Sequence, residues 1–345
     1  MIHNHPQGLP PVSLADVASY LPGEPVGTEY FTRFSRSDRM AANVMFRAPR
    51  TRHHVGREET AVDMVERAVA PLVERHGSDL LTSVDVLLTH TQLPDNPVLG
   101  CGPEVARRLG IRPGWVYDVH NGGCAAFIHL MGLAAMLLRT TSARTALIAV
   151  TQNCAGPVFT QTEIRGLAQA PVPGDGCGVG LLVADDRAPI LDIECRTYPE
   201  FAGDMAFSTG GARKYWEPGE GQGCVRFSES KVAKVFARGN RLVPEVSLAV
   251  CDRLGIAGRE VDAFVTNQPN RLFLRNWREA LELPPERHPD TFDRCGNLFA
   301  AGIPVTLDIA NREGRLREGA LVLLAAFAHA GDFAAAAALR WGAPR

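Results

Sequence analysis

The run Asp-Val-His-Asn-Gly-Gly-Cys-Ala-Ala-Phe at 118–127 sets a cysteine between a strand and a helix. Residues 115–120 read as a short buried strand with aromatic and β-branched side chains. Residues 124–138, rich in Ala, Leu and Met, read as a buried helix. Gly122 and Gly123 permit a sharp turn and close backbone approach. Cys124 is therefore expected at the first turn of a helix, where free N–H groups and the helix dipole favour a thiolate. A thiolate there is a nucleophile beside a ready-made oxyanion site. Taken alone, the run fits a core cysteine capped by two turn glycines better, because unpaired cysteines are usually buried and inert. The rest of the chain turns the reading toward chemistry.

The elements that must position Cys124 occur twice. Strands alternate with helical stretches, which argues for α/β layers. Val-Asp-Val-Leu-Leu-Thr-His at 84–90 is matched by Val-Asp-Ala-Phe-Val-Thr-Asn at 261–267. A helical pattern precedes each: Val62, Val65, Val69, Leu72 and Val73 share one face, and 243–254 leads into Gly255. Pro71 is expected to kink the first of these helices. After each matched strand comes a helix and then a glycine turn, delivering Gly123-Cys124 in one half and Gly296-Asn297 in the other. Two apolar strands follow each time, at 144–151 and 179–184, then at 319–327 and 334–341. Two facing βαβ-type halves would bring Cys124 and Asn297 to a shared axis.

Composition narrows the partners. The 345 residues hold 36 Lys plus Arg against 38 Asp plus Glu, a formal net charge of −2, so nucleic acid and anionic membranes are not expected as partners. At 46% hydrophobic residues there is ample core material. The apolar run 124–138 is short for a bilayer and contains His129. The opening Met-Ile-His-Asn-His-Pro-Gln lacks the pattern of a signal peptide, so a cytoplasmic protein is expected. The eight cysteines (101, 124, 154, 177, 195, 224, 251 and 295) are scattered without metal-ligand spacing, which predicts reduced thiols and no metal site.

With those residues on the page, the chain resembles the β-ketoacyl-acyl-carrier-protein synthase III enzymes. The likeness is carried by Leu-Ala-Asp-Val-Ala-Ser-Tyr-Leu-Pro at 14–22, the Cys124 segment, and Pro-Gly-Asp-Gly-Cys-Gly at 173–178. Arg-Cys-Gly-Asn-Leu-Phe-Ala-Ala-Gly-Ile-Pro at 294–304 resembles the family's Asn segment, and 308–319 its following helix and turn. The resemblance implies an α/β thiolase fold, two duplicated βαβ-type halves in a layered α/β/α/β/α arrangement, divided as 1–185 and 186–345. It implies an acyl-cysteine on Cys124, with Asn297 as the family's asparagine. It implies no permanently held cofactor, with coenzyme A or a phosphopantetheine thioester as substrate and an acyl-CoA or acyl-carrier protein as partner. It also implies a homodimer paired through edge strands of the first half, with the partner's 93–97 region near the pocket.

Two departures matter. Asn267 stands where the family's Pro-His-Gln-Ala-Asn segment carries histidine, and the C-terminal glycine loop reads Ala328-His329-Ala330-Gly331-Asp332. An Asn267 amide can still donate to a developing enolate, an effect worth roughly 3 kcal/mol per donor in oxyanion holes. It cannot take a proton and carry it as a cation. The candidate for a replacement base is His329, in the loop that the resemblance places beside Cys124 with Asp332 to orient it and Gly331 in the oxyanion hole; the alternative is a plain polar loop residue. His129, five residues after Cys124 and about 140° round the helix, is expected to face elsewhere. His90 and His120 end strands near the site edge and are weaker candidates. Asp175 is expected to support its turn.

Arg47, Arg50 and Arg52, with His53 and His54, form a basic cluster that the resemblance places near the mouth of the thioester tunnel, where Arg forks suit phosphate. The connector 153–173 is expected to cover the acyl pocket, with Phe159 shaping it and Ile164 and Leu167 packing the core. The favoured reading is acyl transfer to a hydroxyl, amine or carrier thiol in fatty-acid-like or polyketide-type biosynthesis. A decarboxylative condensing enzyme using Asn267 and Asn297 is the alternative. A silent partner subunit that binds an acyl-carrier protein is the rival from outside enzymology, and the retained Cys124 speaks against it.

Overall fold

The structure, a computed structural model, describes residues 9–34, 40, 42–205, 207–208, 217, 224–225 and 227–342. Residues 1–8, read above for a leader, and the Cys224 side chain lie outside that description. The first sheet is built from β1 (Ser13–Tyr20), β2 (Val86–Thr91), β3 (Trp115–Asp118), β4 (Thr145–Gln152) and β5 (Gly176–Val183), in the order β1-β5-β4-β2-β3. The second is built from β6 (Ile190–Thr197), β7 (Ala263–Thr266), β8 (Leu321–Ala328) and β9 (Phe333–Arg340), in the order β7-β8-β9-β6.

The sequence echo is a topological repeat. β2 runs parallel to β4, which is antiparallel to β5, which is antiparallel to β1. In the same order, β7 runs parallel to β8, which is antiparallel to β9, which is antiparallel to β6. β4 and β8 are buried along their whole length, as near-continuous apolar runs with both faces covered should be.

Three cores separate five layers. α1 (Ala61–His76) and α2 (Gly102–Leu109) cover the outer face of the first sheet. α3 (Ala126–Thr140) and α6 (Gly302–Arg312) lie between the two sheets. α4 (Glu229–Leu254) and α5 (Arg271–Ala280) cover the outer face of the second. Local chemistry starts these helices: a capping box of Thr60 and Asp63 opens α1, and the Ser228 side chain caps α4.

Two expectations change. Residues 115–120 do not form a buried strand: β3 spans Trp115–Asp118 at the sheet edge, paired among the described residues only with β2, and leaves Trp115 and Tyr117 38% and 51% exposed. An edge strand covered on one face buries alternate residues only. Pro71 lies inside α1, which continues to His76. The helical run Gly123–Thr140 is apolar enough, by length and composition, to cross a membrane, yet 61% of it is buried between the sheets. There it is an internal layer of the protein.

The middle layer is tight where α6 meets β5. A Cβ on Gly178 would fall 2.4 Å from Pro304 Cγ and 2.7 Å from its Cβ, against a rigid ring. Gly178→Ala is expected to destabilise the protein by about 1–3 kcal/mol through overpacking. An unchanged midpoint in chemical denaturation would contradict that closeness.

Candidate active site

Cys124 sits in a 3-10 turn, Gly123–Ala125, that runs directly into α3. Gly123 has φ 48, a left-handed conformation. A Cβ there would meet His329 Nε2 at 2.9 Å and Ala328 Cβ at 3.0 Å, so the end of β8 comes as close to the turn as a glycine allows. The turn also packs against a second 3-10 turn, Phe299–Ala301, which opens α6 just after Asn297. The two halves therefore meet at their helix starts.

The thiol is not the ready thiolate expected from the helix start. Residue 124 keeps some surface, but its sulfur is enclosed, and burial pushes its pKa up to about 12. The turn's own backbone and the Asn267 amide pull it down, and the Asp332 carboxylate pushes it up. Helix-start donors are worth roughly 0.3–2 kcal/mol, whereas enclosing an ion costs several kcal/mol. Burial wins, and the nucleophile rests protonated.

Asn267 directly follows β7 and is 1% exposed. Its neighbours are committed to structure. Gln268 donates to the Thr266 carbonyl and accepts from the Thr291 N–H, and Asn270 caps α5. The Asn267 amide faces the thiol, yet among the described residues neither Oδ1 nor Nδ2 completes a hydrogen bond. Leaving such a group unmet costs about 1–3 kcal/mol. Asn297 is held differently: its Oδ1 accepts from the Phe299 N–H at 3.0 Å, which turns its Nδ2 into the group left to donate.

His329, with φ 50, sits in the turn between β8 and β9. Its Nδ1 lies 2.9 Å and 3.1 Å from the two Asp332 carboxylate oxygens. A carboxylate accepts, so Nδ1 carries the proton and Nε2 presents its lone pair toward Gly123. Arg238, on α4, braces this turn. It donates to the Ala330 carbonyl at 3.0 Å, pairs with Asp204 at 2.7 Å and lies over the Phe201 ring. Sequence spacing gave no sign of Arg238, which lies 92 positions from Ala330.

Several site expectations need correction. Gly331 is not an oxyanion donor: its N–H is spent on the Ala328 carbonyl, and a Cβ there would lie 3.1 Å from Arg238 and Leu242. Arg52 cannot reach an external phosphate. It is fully buried, donates to the Pro171 carbonyl and stacks on Phe31, and burial lowers its pKa to about 10. Arg47 and Arg50 remain exposed, and Arg50 lies 4.0 Å from Asp293, two residues before Cys295. His129 does not face away from the site. It meets the Phe333 ring edge-on at 5.8 Å, and His329 meets the same ring at 6.1 Å.

His120 is exposed, whereas His90 is buried at the end of β2. Asp175 accepts the N–H groups of Val55, Ala155 and Gly156, tying the start of the 153–173 connector to the segment around Val55. Within that connector Phe159 is half-buried, Leu167 is half-buried and Ile164 fully buried.

Known proteins are similar to this chain in sequence and fold. Residues 251–341 match the family profile described as 3-Oxoacyl-[acyl-carrier-protein (ACP)] synthase III C terminal. The chain is 29% identical over 329 residues to the beta-ketoacyl-[acyl-carrier-protein] synthase III of Acidiphilium cryptum, covering 91% of this chain and 94% of that one. It is 28% identical over 276 residues to the enzyme of that name from Thioalkalivibrio sulfidiphilus, covering 80% and 83%. The solved structure of the Thermus thermophilus synthase III superposes with a TM-score of 0.81 at 25% identity, covering 95% of this chain and 98% of that one.

The enclosed thiol has a direct consequence. With its pKa near 12, alkylation of Cys124 by iodoacetamide should be slow at pH 7 and rise about tenfold per pH unit to pH 10 and beyond. Peptide mapping by mass spectrometry across that range checks it. A rate already level at pH 8 would mean a resting thiolate.

Proposed function

The chain belongs to the β-ketoacyl-acyl-carrier-protein synthase III-like family of the thiolase fold, and on that premise we propose that it transfers acyl groups through a thioester on Cys124. The observation that carries the reading is the His329–Asp332 pair, whose free Nε2 is aimed at the Cys124 turn.

A thiol with a pKa near 12 needs a base before it attacks. In the first half-reaction His329 Nε2 takes the Cys124 proton as Sγ attacks the donor thioester carbonyl. The donor carbon–sulfur bond breaks, and the departing thiol leaves with the proton from His329. In the second, an acceptor hydroxyl or amine gives its proton to Nε2 and attacks the acyl carbonyl. The bond to Cys124 breaks and the sulfur regains the proton. Asp332 holds the imidazole in the tautomer this needs and stabilises the imidazolium. The Asn267 and Asn297 amides and the Cys124 N–H supply donors for the oxyanion.

The donor is a coenzyme A or carrier-protein thioester, with Arg47 and Arg50 exposed beside the Asn297 segment to meet its phosphates, and Phe159 against the acyl chain. A homodimer across β3 accords with the exposed Trp115 and Tyr117 and with Val98 and Leu99 on the adjoining loop. A decarboxylative condensation is the second reading, favoured by the unmet Asn267 amide, a donor poised for an enolate.

Incubation with a panel of acyl thioesters, malonyl included, should add an acyl mass to the protein but not to Cys124→Ala. His329→Ala should slow release to a hydroxyl or amine acceptor by about 10²–10⁴-fold, and Asp332→Asn by less. Malonyl appearing as an acetyl adduct would replace transfer by condensation. No adduct from any donor would leave the silent-subunit reading.

A further inference from the structure

His90 closes β2 with a ring only half used. It is 3% exposed, and its Nδ1 lies 2.7 Å from the Val119 carbonyl oxygen. A carbonyl only accepts, so Nδ1 carries the proton and Nε2 presents a lone pair. Among the described residues nothing donates to that lone pair, although it is closed off from solvent. Burial, reinforced by His120, His329 and His129, pushes the His90 pKa down to about 4 against the pull of the Val119 bond, so the ring is neutral at pH 7.

Strand alternation says which way the ring points. Val86 and Leu88 belong to the core between the sheets, and Leu87 to the outer core. Thr89 and Thr91 bond Asp118 and Cys101 on the outer side. His90 therefore follows Val86 and Leu88 onto the inner face, the one that carries α3 and the Cys124 turn. Its backbone anchor, Val119, lies five residues before Cys124.

Resting on the acyl-enzyme reading, we infer that His90 Nε2 accepts a hydrogen bond from a hydroxyl or amine of the substrate, making His90 a specificity-determining residue. A plain alkyl chain leaves the lone pair unmet, and a carbonyl or carboxylate oxygen sets two lone pairs against each other. An O–H or N–H satisfies it. The donor group belongs either to the acyl chain or to the acceptor, and the two are separable.

In one arm, the protein competes matched acyl thioesters of equal length, with and without a chain hydroxyl, and the adduct ratio on Cys124 is read by intact-protein mass spectrometry. In the other, Cys124 carrying a plain acyl chain is offered acceptors with one or two hydroxyl groups, and release rates are compared. A preference of about tenfold or more for the extra donor is expected in one arm, and that arm identifies its source. His90→Leu should abolish it, and His90→Gln, which keeps an acceptor oxygen, should retain part of it. Circular dichroism and melting of both variants establish that they fold, and should only one fold, its ratio decides. Adduct formation without preference in either arm, or a preference that survives His90→Leu, overturns the inference and leaves acyl transfer standing. Absence of any Cys124 adduct overturns the acyl-enzyme reading and this inference with it.

Discussion

The site depends on how near the β8–β9 turn comes to Gly123. Any side chain there would strike His329 Nε2 and Ala328. The same approach has two electrostatic effects. It helps to enclose the Cys124 sulfur, which suppresses the thiolate, and it aims an imidazole lone pair at the turn that carries the thiol. A nucleophile silenced by burial and a base positioned beside it are then two results of one packing contact.

Strain is concentrated at the same junction. Phe299 and His329 both adopt positive φ without being glycine, at about 1–3 kcal/mol each. Each is held by a bond to a neighbouring element or side chain. Asn297 Oδ1 takes the Phe299 N–H, Asp332 takes the His329 ring, and Arg238 clamps the intervening Ala330 carbonyl. The layered core makes such restraint affordable, because α3 and α6 are packed from both sides. The two sheets also contribute different chemistry. The first offers the thiol and a bare acceptor at His90, and the second offers amides and an oriented imidazole.

Much of this was legible along the chain. The echo of 84–90 in 261–267 became a repeated strand order, because each half carries the apolar pattern of its own sheet. The glycine pair before Cys124 and the three-residue spacing of His329 and Asp332 also survive, since both depend on local geometry. Less was legible about exposure. Trp115 and Tyr117 have the composition of a core strand, and only their place at the sheet edge leaves them outside.

What the sequence determined by itself was the alternation of elements, the duplicated halves, and where a nucleophile could stand relative to a turn. Those follow from residue spacing, which sets neighbours three or four positions away or across one strand. Tertiary structure alone decided the protonation and partners of the polar groups. It buried Arg52 under Pro171, turned the Gly331 N–H back into its own turn, and brought His129 and His329 to one ring. Among the described residues it also left His90 Nε2 and the polar atoms of the Asn267 amide unpaired. Desolvation depends on contacts such as Arg52 with Pro171 and His129 with Phe333, which join residues more than a hundred positions apart and which no local pattern encodes.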